Sequence, residues 1–382
     1  MQRFLLILLA IIIFSLLQAQ SFFSMRGLGE EIINTDALTT SLGSSNSLSY
    51  QNPSYPIKKD NTIFEAALIG SGIYGKDASN QRFISNVRPN YLKGIFVLPL
   101  GFGIGLGLSE RFNQNFDVFS DSQFGYQRHI VGYGGIYSVG LGISRSFYEH
   151  VGLGFEYNRN FGDAQERWFF ESSIGTNINT DTVATNYRGD LLKFGLSANI
   201  WKLNLGVLYE KDFPIYINSR VLSHGVITDS IENLEFRFPA KIGLGLSFEA
   251  MPKLTFYLDY FHRNNPFRQT SGALPPESIV NIIYRNTDKY SLGIEYKLNE
   301  KHSLRVGYRY YNWYFVDRSN KTINEQAITL GSGIPIPRFG SFNFALELIN
   351  RKGGSLTENI CRLNLTLHYE EAWKIRKRRW GY

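Results

Sequence analysis

Apolar and polar residues alternate one by one along most of this chain. In residues 290–297, tyrosine, leucine, isoleucine and tyrosine at the even positions are interleaved with serine, glycine, glutamate and lysine. Because side chains of a β-strand point alternately to its two faces, this pattern predicts two-faced strands rather than helices. The same pattern recurs at 139–143, 242–248, 254–260, 304–310, 342–348 and 361–369.

Two architectures produce this alternation, and three features separate them. In a soluble β-sandwich the apolar face forms the core, whereas in a transmembrane barrel it meets lipid and the polar face lines the lumen. Here the segments reach the length of roughly ten residues that a tilted spanning strand needs. Turns alternate between short and long, and tyrosine or phenylalanine stands at the segment ends, where an interfacial girdle lies. We therefore predict an all-β fold, a transmembrane antiparallel β-barrel.

The turns give the number of strands. Six tight turns are predicted near Pro99–Gly101, Tyr148–Glu149, Trp201–Lys202, Met251–Pro252, Asn299–Lys301 and Pro335–Gly340. Seven long loops are predicted at 75–91, 115–128, 161–185, 218–233, 265–284, 316–322 and 351–356. These connections join about 14 strands with both ends on the short-turn side. Twelve or sixteen strands remain alternatives, because Glu166–Ser173 can form an extra strand or a loop hairpin. The predicted strands are 63–74, 92–98, 102–114, 129–147, 150–160, 186–200, 203–217, 234–249, 253–264, 285–297, 302–315, 323–334, 341–350 and 357–369.

The first residues indicate export. Residues 1–19 combine Arg3, an apolar run and the small residue Ala19, which is typical of a secretory signal peptide; a signal anchor is the alternative. No later window offers eighteen consecutive apolar residues for a helical span. An exported strand-rich chain of this kind is expected in the outer membrane of a Gram-negative-type bacterium. Its expected partners are outer-membrane lipid and the barrel-assembly machinery that inserts such proteins.

Two segments lie outside the barrel pattern, which we predict over 61–369. Residues 20–60 are rich in Gly, Ser and Pro, yet they also hold Phe22, Phe23, Ile32 and Ile33. These apolar residues favour a plug folded into the lumen over a free linker. The tail 370–382 carries two tryptophans and five basic residues. It is expected either at the periplasmic membrane interface or in solvent.

Composition argues against other classes of protein. The net charge of +7 is modest and lies partly in the tail, so the barrel has no basic field suited to nucleic acid. The single cysteine excludes a disulfide framework, and the six histidines show no metal-ligand spacing. No Gly-x-Ser-x-Gly nucleophile motif occurs. We predict no enzyme activity, no metal and no cofactor.

Several motifs resemble the long-chain fatty-acid transporter (FadL-type) family of outer-membrane proteins. The resemblance combines the signal segment, a plug ending in Asn52-Pro53, and hairpins such as 243–260 and 292–308. It implies an outer-membrane transporter for hydrophobic small molecules, with capture by loops, binding in a lumen pocket and release by plug movement or a lateral opening. The chain departs from the family in the plug. A serine-rich stretch, Ser41–Ser49, replaces the usual Gly/Ala run, and Ser54 follows Asn52-Pro53.

Candidate ligand-binding residues follow from the alternation of side chains between the two faces of a strand, which we call strand parity. Tyr257, Phe261, Leu208 and Tyr311 face inward by parity and either line an acyl-chain pocket or pack against the plug. Arg305 and Arg309 face inward on one strand, where a guanidinium pair suits a carboxylate head group. Their alternative role is a lumenal ion network with Glu295, Asp259 and Glu347.

A row of glycines marks the predicted third strand. Gly103, Gly105 and Gly107 share its inward face, where they let the plug approach or permit a kink with a lateral exit.

Three hypotheses for function result. A transporter of hydrophobic compounds requires an apolar pocket in a plugged lumen. A structural or interaction barrel, serving surface-protein assembly or secretion, requires none, and a general porin requires an unplugged lumen.

Overall fold

One closed antiparallel β-sheet accounts for most of the chain. In the computed structural model the described residues are 21–33, 36–54, 61–76, 81–121, 127–147, 150–171, 177–264, 283–299, 302–317, 320–336 and 340–372. They contain one α-helix, α1 (Ala37–Ser41), and three 3-10 helices at Phe22–Met25, Asn46–Leu48 and Pro99–Gly101. No helix in this part of the chain is long and apolar enough to cross a membrane.

The sheet contains eighteen strand segments within the described ranges. In chain order they are β1 (Glu30–Glu31), β2 (Asn61–Lys76), β3 (Gln81–Leu98), β4 (Phe102–Asn113), β5 (Phe116–Asp121), β6 (Gln127–Phe147), β7 (Val151–Glu171), β8 (Asn177–Ile200), β9 (Leu203–Asp212), β10 (Ile215–Ser223), β11 (Val226–Phe236), β12 (Lys241–Met251), β13 (Leu254–Arg263), β14 (Thr287–Lys297), β15 (Ser303–Val316), β16 (Thr322–Ile336), β17 (Gly340–Gly353) and β18 (Leu356–Ala372).

These segments build a barrel wall of fourteen strands. Three wall strands are interrupted, so that β4 and β5, β9 and β10, and β11 and β12 are each two halves of one strand. The segment β1 lies inside the wall and pairs with β4. Strand β18 pairs with β2 from Thr357↔Lys76 to Ala372↔Asn61, which closes the barrel and leaves no sheet edge at that seam. The predicted fold class, a plugged barrel of fourteen strands, is confirmed.

The wall is apolar outside and charged inside. Outward side chains such as Leu292 and Leu348 are about half exposed, at 50% and 53%. Inward charged side chains such as Arg309, Glu347 and Arg351 have no exposed surface. This is the reverse of a soluble protein, and it fits a barrel whose outer face meets lipid.

Two ends of the barrel differ in their connections. At one end, which we call the short-turn end, consecutive strands are joined by turns such as Pro99–Gly101 and Trp201–Lys202. Leu100 and Trp201 have φ angles of 65° and 56° there, a region that non-glycine residues rarely occupy. The other end is called the long-loop end.

Strands at the long-loop end extend further than the sequence predicts. Strand β3 already begins at Gln81, β7 runs to Glu171, and a turn at His224–Gly225 joins β10 to β11. The long loops predicted at 75–91, 115–128, 161–185 and 218–233 are therefore wrong in their described parts, and Glu166–Glu171 belongs to β7. Above the membrane both faces of a strand meet water, so the apolar alternation ends while backbone pairing continues.

Three of the predicted segments fall wholly or mostly outside the described residues. They are the signal segment 1–19, most of the loop 265–284 and all of the tail beyond Ala372.

Candidate functional site

The lumen holds the N-terminal segment, whose described residues 21–33 and 36–54 we call the plug. Helix α1 begins after Asp36, whose Oδ1 accepts a hydrogen bond from the backbone N–H of Thr39 at 2.8 Å. The Thr366 hydroxyl of β18 accepts from the N–H of Ala37 at 2.8 Å. Thr329 of β16 donates its hydroxyl to the Ser41 carbonyl at 3.0 Å. A short helix is thus fixed to two wall strands by polar contacts at both of its ends.

Two adjacent carboxylates anchor the outer part of the plug. The two carboxylate oxygens of Glu31 accept hydrogen bonds from the two terminal nitrogens of Arg263, each at 2.9 Å. This is the bidentate geometry that a guanidinium group favours. Glu30 accepts from Arg351 at 2.7 Å and from Arg362 at 3.0 Å. All five side chains are buried. These pairs connect the plug to β13 and, four and five strands further round the wall, to β17 and β18.

The charges around Glu31 keep it ionised. Burial alone raises the pKa of this carboxyl, but the nearby Arg263 and Lys241 cations outweigh burial and lower its pKa to about 2. The pKa of Glu30 is also lowered, because Arg351 and Arg362 together outweigh its burial. Both plug carboxylates are therefore anions at neutral pH, and they attract the cations of the wall.

Arg305 and Arg309 lie in the lumenal ion network. Arg305 contacts Glu295 at 2.8 Å, and Arg309 contacts Glu325 at 2.7 Å and Glu347 at 2.9 Å. Arg309 also donates to the Ser44 hydroxyl of the plug at 2.6 Å. Each of these arginines thus already binds a carboxylate of the barrel itself. Asp259 contacts Lys289 at 3.1 Å and the backbone N–H of Ser47 at 2.9 Å, and Lys289 also donates to the carbonyl of Ser44, the plug residue that Arg309 contacts.

Asn52-Pro53 fastens the end of the plug to the wall. The Asn52 amide donates to the carbonyls of Ser47 at 2.9 Å and Val207 at 3.1 Å, and its Oδ1 accepts from the Ser54 N–H at 3.0 Å.

Where this motif packs, the wall consists of glycines and presents backbone without side chains. Gly154 and Gly195 are paired across β7 and β8. A Cβ at Gly195 would overlap the Asn52 side chain, and one at Gly154 would overlap the Pro53 carbonyl. Glycine is therefore required for the close approach of plug and wall.

Apolar side chains fill the lumen toward the long-loop end. We call this group the aromatic cluster; Trp313, Tyr314 and Phe315 of β15 are fully buried in it, and Phe23 and Leu28 of the plug pack among them. The Tyr314 hydroxyl donates to the Gly29 carbonyl at 2.8 Å and accepts from the Leu28 N–H at 3.0 Å. Its other members are Ile33, Phe112, Ile136, Tyr187, Ile215, Ile217, Phe236, Phe238, Phe261, Tyr284, Tyr311 and Ile323.

The remaining sequence-predicted residues divide between this cluster and its surroundings. Phe261 and Tyr311 are in the cluster, with ring centroids 6.0 Å apart. Leu208 is buried on β9 but is not a cluster member. Tyr257 lies nearer the short-turn end, where its hydroxyl donates to Glu295 at 3.1 Å. The predicted set is therefore not assembled around one site.

Two cavities inside the barrel differ in size and in lining. A cavity of about 30 Å³ borders the plug at Met25 and Gly27 and the wall at Gln114 and Tyr187. That volume suits a water molecule, whereas small-molecule sites usually enclose roughly 300–1,000 Å³. A larger cavity of about 350 Å³ lies near the short-turn end, but charged residues such as Glu65, Lys297 and His368 line it.

The wall is interrupted beside the aromatic cluster. Strand β3 pairs with β4 only from Tyr91↔Ser109 to Leu98↔Phe102, and β5 pairs with β6 alone. The end of β4 instead pairs with β1 of the plug, at Glu30↔Asn113 and Glu31↔Phe112. Within the described residues, no ladder joins 81–90 of β3 to 110–121, and we call this break the wall gap.

Side chains, not backbone hydrogen bonds, cross the wall gap. Arg82 contacts Asp117 at 2.9 Å, and its guanidinium carbon lies 4.3 Å from the Phe119 ring centroid. Deeper in the gap, Arg88 is ion-paired with Glu110. Pro89 lies in this stretch of β3, and an edge is where a sheet accommodates proline.

Gly103, Gly105 and Gly107 lie in the third wall strand but not at its interruption. All three keep regular pairs with both β3 and β6. The strand breaks instead at Gln114-Asn115, between β4 and β5. The side-chain oxygen of Asn113 accepts a hydrogen bond from the backbone N–H of Asn115 at 3.0 Å. The side-chain oxygen of Asn115 accepts one from the backbone N–H of Gly134 at 2.9 Å.

Sequence reasoning missed the main plug anchors, Glu30 and Glu31. Two neighbouring acids, with Arg26 and Asp36 as the nearest other charges, were a visible signal. Their partners lie 321 and 232 residues away along the chain, so spacing gave no means of pairing them.

These features define a class of protein, a fourteen-stranded barrel with an N-terminal plug and an interrupted third strand. Solved structures with a similar fold cover 88–89% of the chain. The Pseudomonas putida toluene transporter TodX superposes with a TM-score of 0.62 at 15% identity, covering 89% of this chain and 99% of that one. The monoaromatic hydrocarbon channel CymD gives 0.59 at 12% identity, covering 89% and 98%. A Pseudomonas aeruginosa FadL homologue gives 0.61 at 11% identity, covering 88% and 99%.

The resemblance to FadL-type proteins is thus confirmed at the level of the fold, and these neighbours are transporters and channels, not enzymes. The chain itself belongs to the BamG family, whose family model matches residues 1–380. No curated protein matches its sequence.

Proposed function

We propose that this protein resides in the outer membrane and passes a hydrophobic small molecule sideways through its wall. The observation that supports this most is the wall gap beside the aromatic cluster, where side-chain ion pairs and no ladder hydrogen bonds join β3 to the third wall strand. In outer-membrane barrels the short turns face the periplasm, so the gap lies in the outward half of the wall.

The plug favours a lateral over an axial route. It occupies the lumen and is held by buried ion pairs at Glu30 and Glu31. A general porin needs an open aqueous channel, which this arrangement does not provide. A hydrophobic molecule that leaves through the side enters lipid directly and never crosses the charged interior.

The aromatic cluster is the proposed binding site once the plug shifts. Phe23 and Leu28 now fill the centre of the cluster, and their withdrawal would leave an apolar space lined by Phe261 and Tyr311. Long-chain fatty acids and aromatic hydrocarbons are ligands of matching chemistry. Arg305 or Arg309 would hold a fatty-acid carboxylate only by exchanging it for one of the barrel's own carboxylates, which makes uncharged hydrocarbons the better candidates.

Locking the wall gap tests the route. In a Cys361→Ser background, Arg82→Cys and Asp117→Cys would be joined by a short bismaleimide, which ties β3 to β5. We expect uptake of a hydrocarbon or fatty acid by cells to be lost in the locked form and restored when the linker is omitted. The matched control joins Arg159→Cys to Asp190→Cys across the intact β7–β8 ladder, where the native ion pair also spans 2.9 Å.

Uptake that survives the lock would rule out the lateral route.

Binding to the purified protein in nanodiscs separates route from function. Phe23→Ala should increase saturable binding of the same molecule, because it enlarges the cluster. Leu38→Ala, on a partly exposed plug residue, should not. If neither wild type nor Phe23→Ala binds any hydrocarbon or fatty acid, the transport function itself is wrong.

A second candidate function is that of an interaction barrel in the assembly of other surface or outer-membrane proteins. Two observations favour it: the match of residues 1–380 to the BamG family, whose name points toward barrel assembly, and the packing of Phe23 and Leu28 of the plug inside the aromatic cluster. Depletion of the protein should then lower the levels of other outer-membrane barrels. The locked gap variant should restore those levels, since assembly would use the outer surfaces and not the passage.

A further inference from the structure

An apolar groove on the outer face of the wall carries an inference independent of transport. The groove encloses about 560 Å³ and crosses β4, β6, β7, β8 and β9 near the short-turn end. Its sides are outward side chains, among them Ile143, Leu153, Phe194 and Leu196. Its floor is the backbone of inward-facing positions such as Gly154 and Gly195, where a side chain would point into the lumen. We call it the Arg145 groove, after the cation at its edge.

Arg145 is held at the edge of this groove with its charge available. Its guanidinium carbon lies 4.8 Å from the ring centroids of both Phe102 and Phe147, so two aromatic faces orient it. The side chain points to the outer face and is exposed. Among the described residues no carboxylate is paired with it, in contrast to Arg159 on the same face, which binds Asp190 at 2.9 Å.

A second outer groove provides an internal comparison. It encloses about 610 Å³ and is lined by side chains such as Leu205, Leu244, Leu258 and Leu292. Its described lining residues include no lysine or arginine. Both grooves can accept acyl chains, but only the Arg145 groove combines an apolar trough with a cation at the level of the lipid head groups.

We propose that the Arg145 groove is a binding site for one phospholipid of the periplasmic leaflet. One acyl chain lies along Ile143, Leu153 and Phe194, and the Arg145 guanidinium binds the phosphate. Guanidinium suits this role because its planar fork donates two parallel hydrogen bonds to phosphate oxygens. The position near the short-turn end selects phospholipid over lipid A, whose phosphates lie at the opposite membrane surface.

Lipid titration followed by native mass spectrometry tests the site. The full-length protein, stripped of lipid in detergent, is titrated with phosphatidylethanolamine, and the dissociation constant of the first bound lipid is measured. We expect Arg145→Ala to weaken that first step about tenfold, as loss of a charge-assisted hydrogen bond does. Arg145→Lys should weaken it less. Ile143→Trp should remove the first step by filling the groove.

Matched variants and lipids complete the test. Arg159→Ala, which removes an outward arginine that is already paired, and Leu258→Trp, which fills the other groove, should leave the first step unchanged. All variants alter outward side chains, and a heat-dependent shift on electrophoresis verifies that each barrel is folded. The proposal is overturned if Arg145→Ala binds phosphatidylethanolamine as wild type does, if diacylglycerol binds equally tightly, or if lipid A is preferred.

Discussion

Carboxylates buried beside arginines are what hold the plug in the lumen. Glu31 and Arg263 have almost no exposed surface, so each charge depends on the other for the stabilisation that water would otherwise supply. Removing one member leaves a buried charge without a partner, which costs more than the intact pair contributes.

We therefore predict that Glu31→Gln loosens the plug without opening the barrel. The free energy of local opening around 28–33 should fall by about 3–5 kcal/mol, the usual loss when one member of a buried pair is removed. Hydrogen exchange of the plug amides measures it. Glu232→Gln, on an exposed acid of β11, is the control and should change nothing. Equal protection in Glu31→Gln and wild type would show that the pair does not anchor the plug.

The same pair predicts how the plug responds to acid. The folded-state pKa of Glu31, about 2, lies below its ordinary value of 4.5. Its contribution to plug stability is therefore complete above pH 4.5 and is lost as the pH falls through about 2. Hydrogen exchange corrected for intrinsic rates should show the plug still protected at pH 3. Release of the plug between pH 6 and 5 would contradict this assignment.

At the residue scale, the sequence predicted which wall residues face inward and part of what they contact. Arg305 pairs with Glu295 and Arg309 with Glu347, as the predicted lumenal network has it. The contact of Arg309 with Ser44 of the plug was not predictable, because a strand pattern gives the face of a residue and not its height relative to the plug. The plug has no periodicity at all, so Glu30 and Glu31 could not be oriented.

At the scale of single elements, glycines in the wall decide where the plug can touch it. Asn52-Pro53 packs on Gly154 and Gly195, while Gly105 elsewhere on the inward face has only Lys93 nearby, with its Cε 3.8 Å from a notional Cβ. The two kinds of inward glycine look alike in the sequence, yet only one kind is in contact with the plug.

We predict that Gly195→Ala displaces the end of the plug and that Gly105→Ala does not. The added methyl overlaps Asn52, and overpacking of this kind typically costs about 1–3 kcal/mol. Hydrogen exchange or limited proteolysis of residues 47–54 should therefore increase about tenfold or more in Gly195→Ala. Similar behaviour of the two variants would mean that the close approach is not required.

Strand cores were predictable at this scale, and strand ends and interruptions were not. Alternation located β13 to β18 within a few residues, because one face of each meets lipid. It failed beyond the membrane in β3, β7 and β10, where pairing continues without an apolar face. Two interruptions contain Pro214 and Pro239, a signal that was present in the sequence. The third, at Gln114-Asn115, has no such signal, since it depends on β4 pairing with the plug.

At the scale of the whole molecule, the plug occupies the lumen and closes it. The fold class, the strand count and the plug were predictable, because the membrane imposes strand length, alternation and closure on any barrel. The wall gap was not, because it results from one strand turning away from its neighbour toward the plug.

We predict that the intact protein in a planar bilayer shows no steady ion conductance. Deletion of residues 21–54 should produce open channels, because the charged lumen would fill with water. The double substitution Glu30→Arg/Glu31→Arg should produce intermittent channels, since it places like charges beside Arg351 and Arg263. Steady conductance of the unaltered protein would show that the plug does not seal the lumen.

The seam between β2 and β18 has a consequence for the order of events during biogenesis. The wall becomes a cylinder only when its final strand meets its first, over sixteen residue pairs. The plug precedes β2 in the chain and is bound by Arg351 and Arg362 of the last two strands. We therefore expect the plug to be in the lumen before the seam forms. Closure is then a late, slow step that waits for contacts between the two extremes of the chain, and an acid-to-arginine change in the plug should delay it before any effect on the finished barrel is seen.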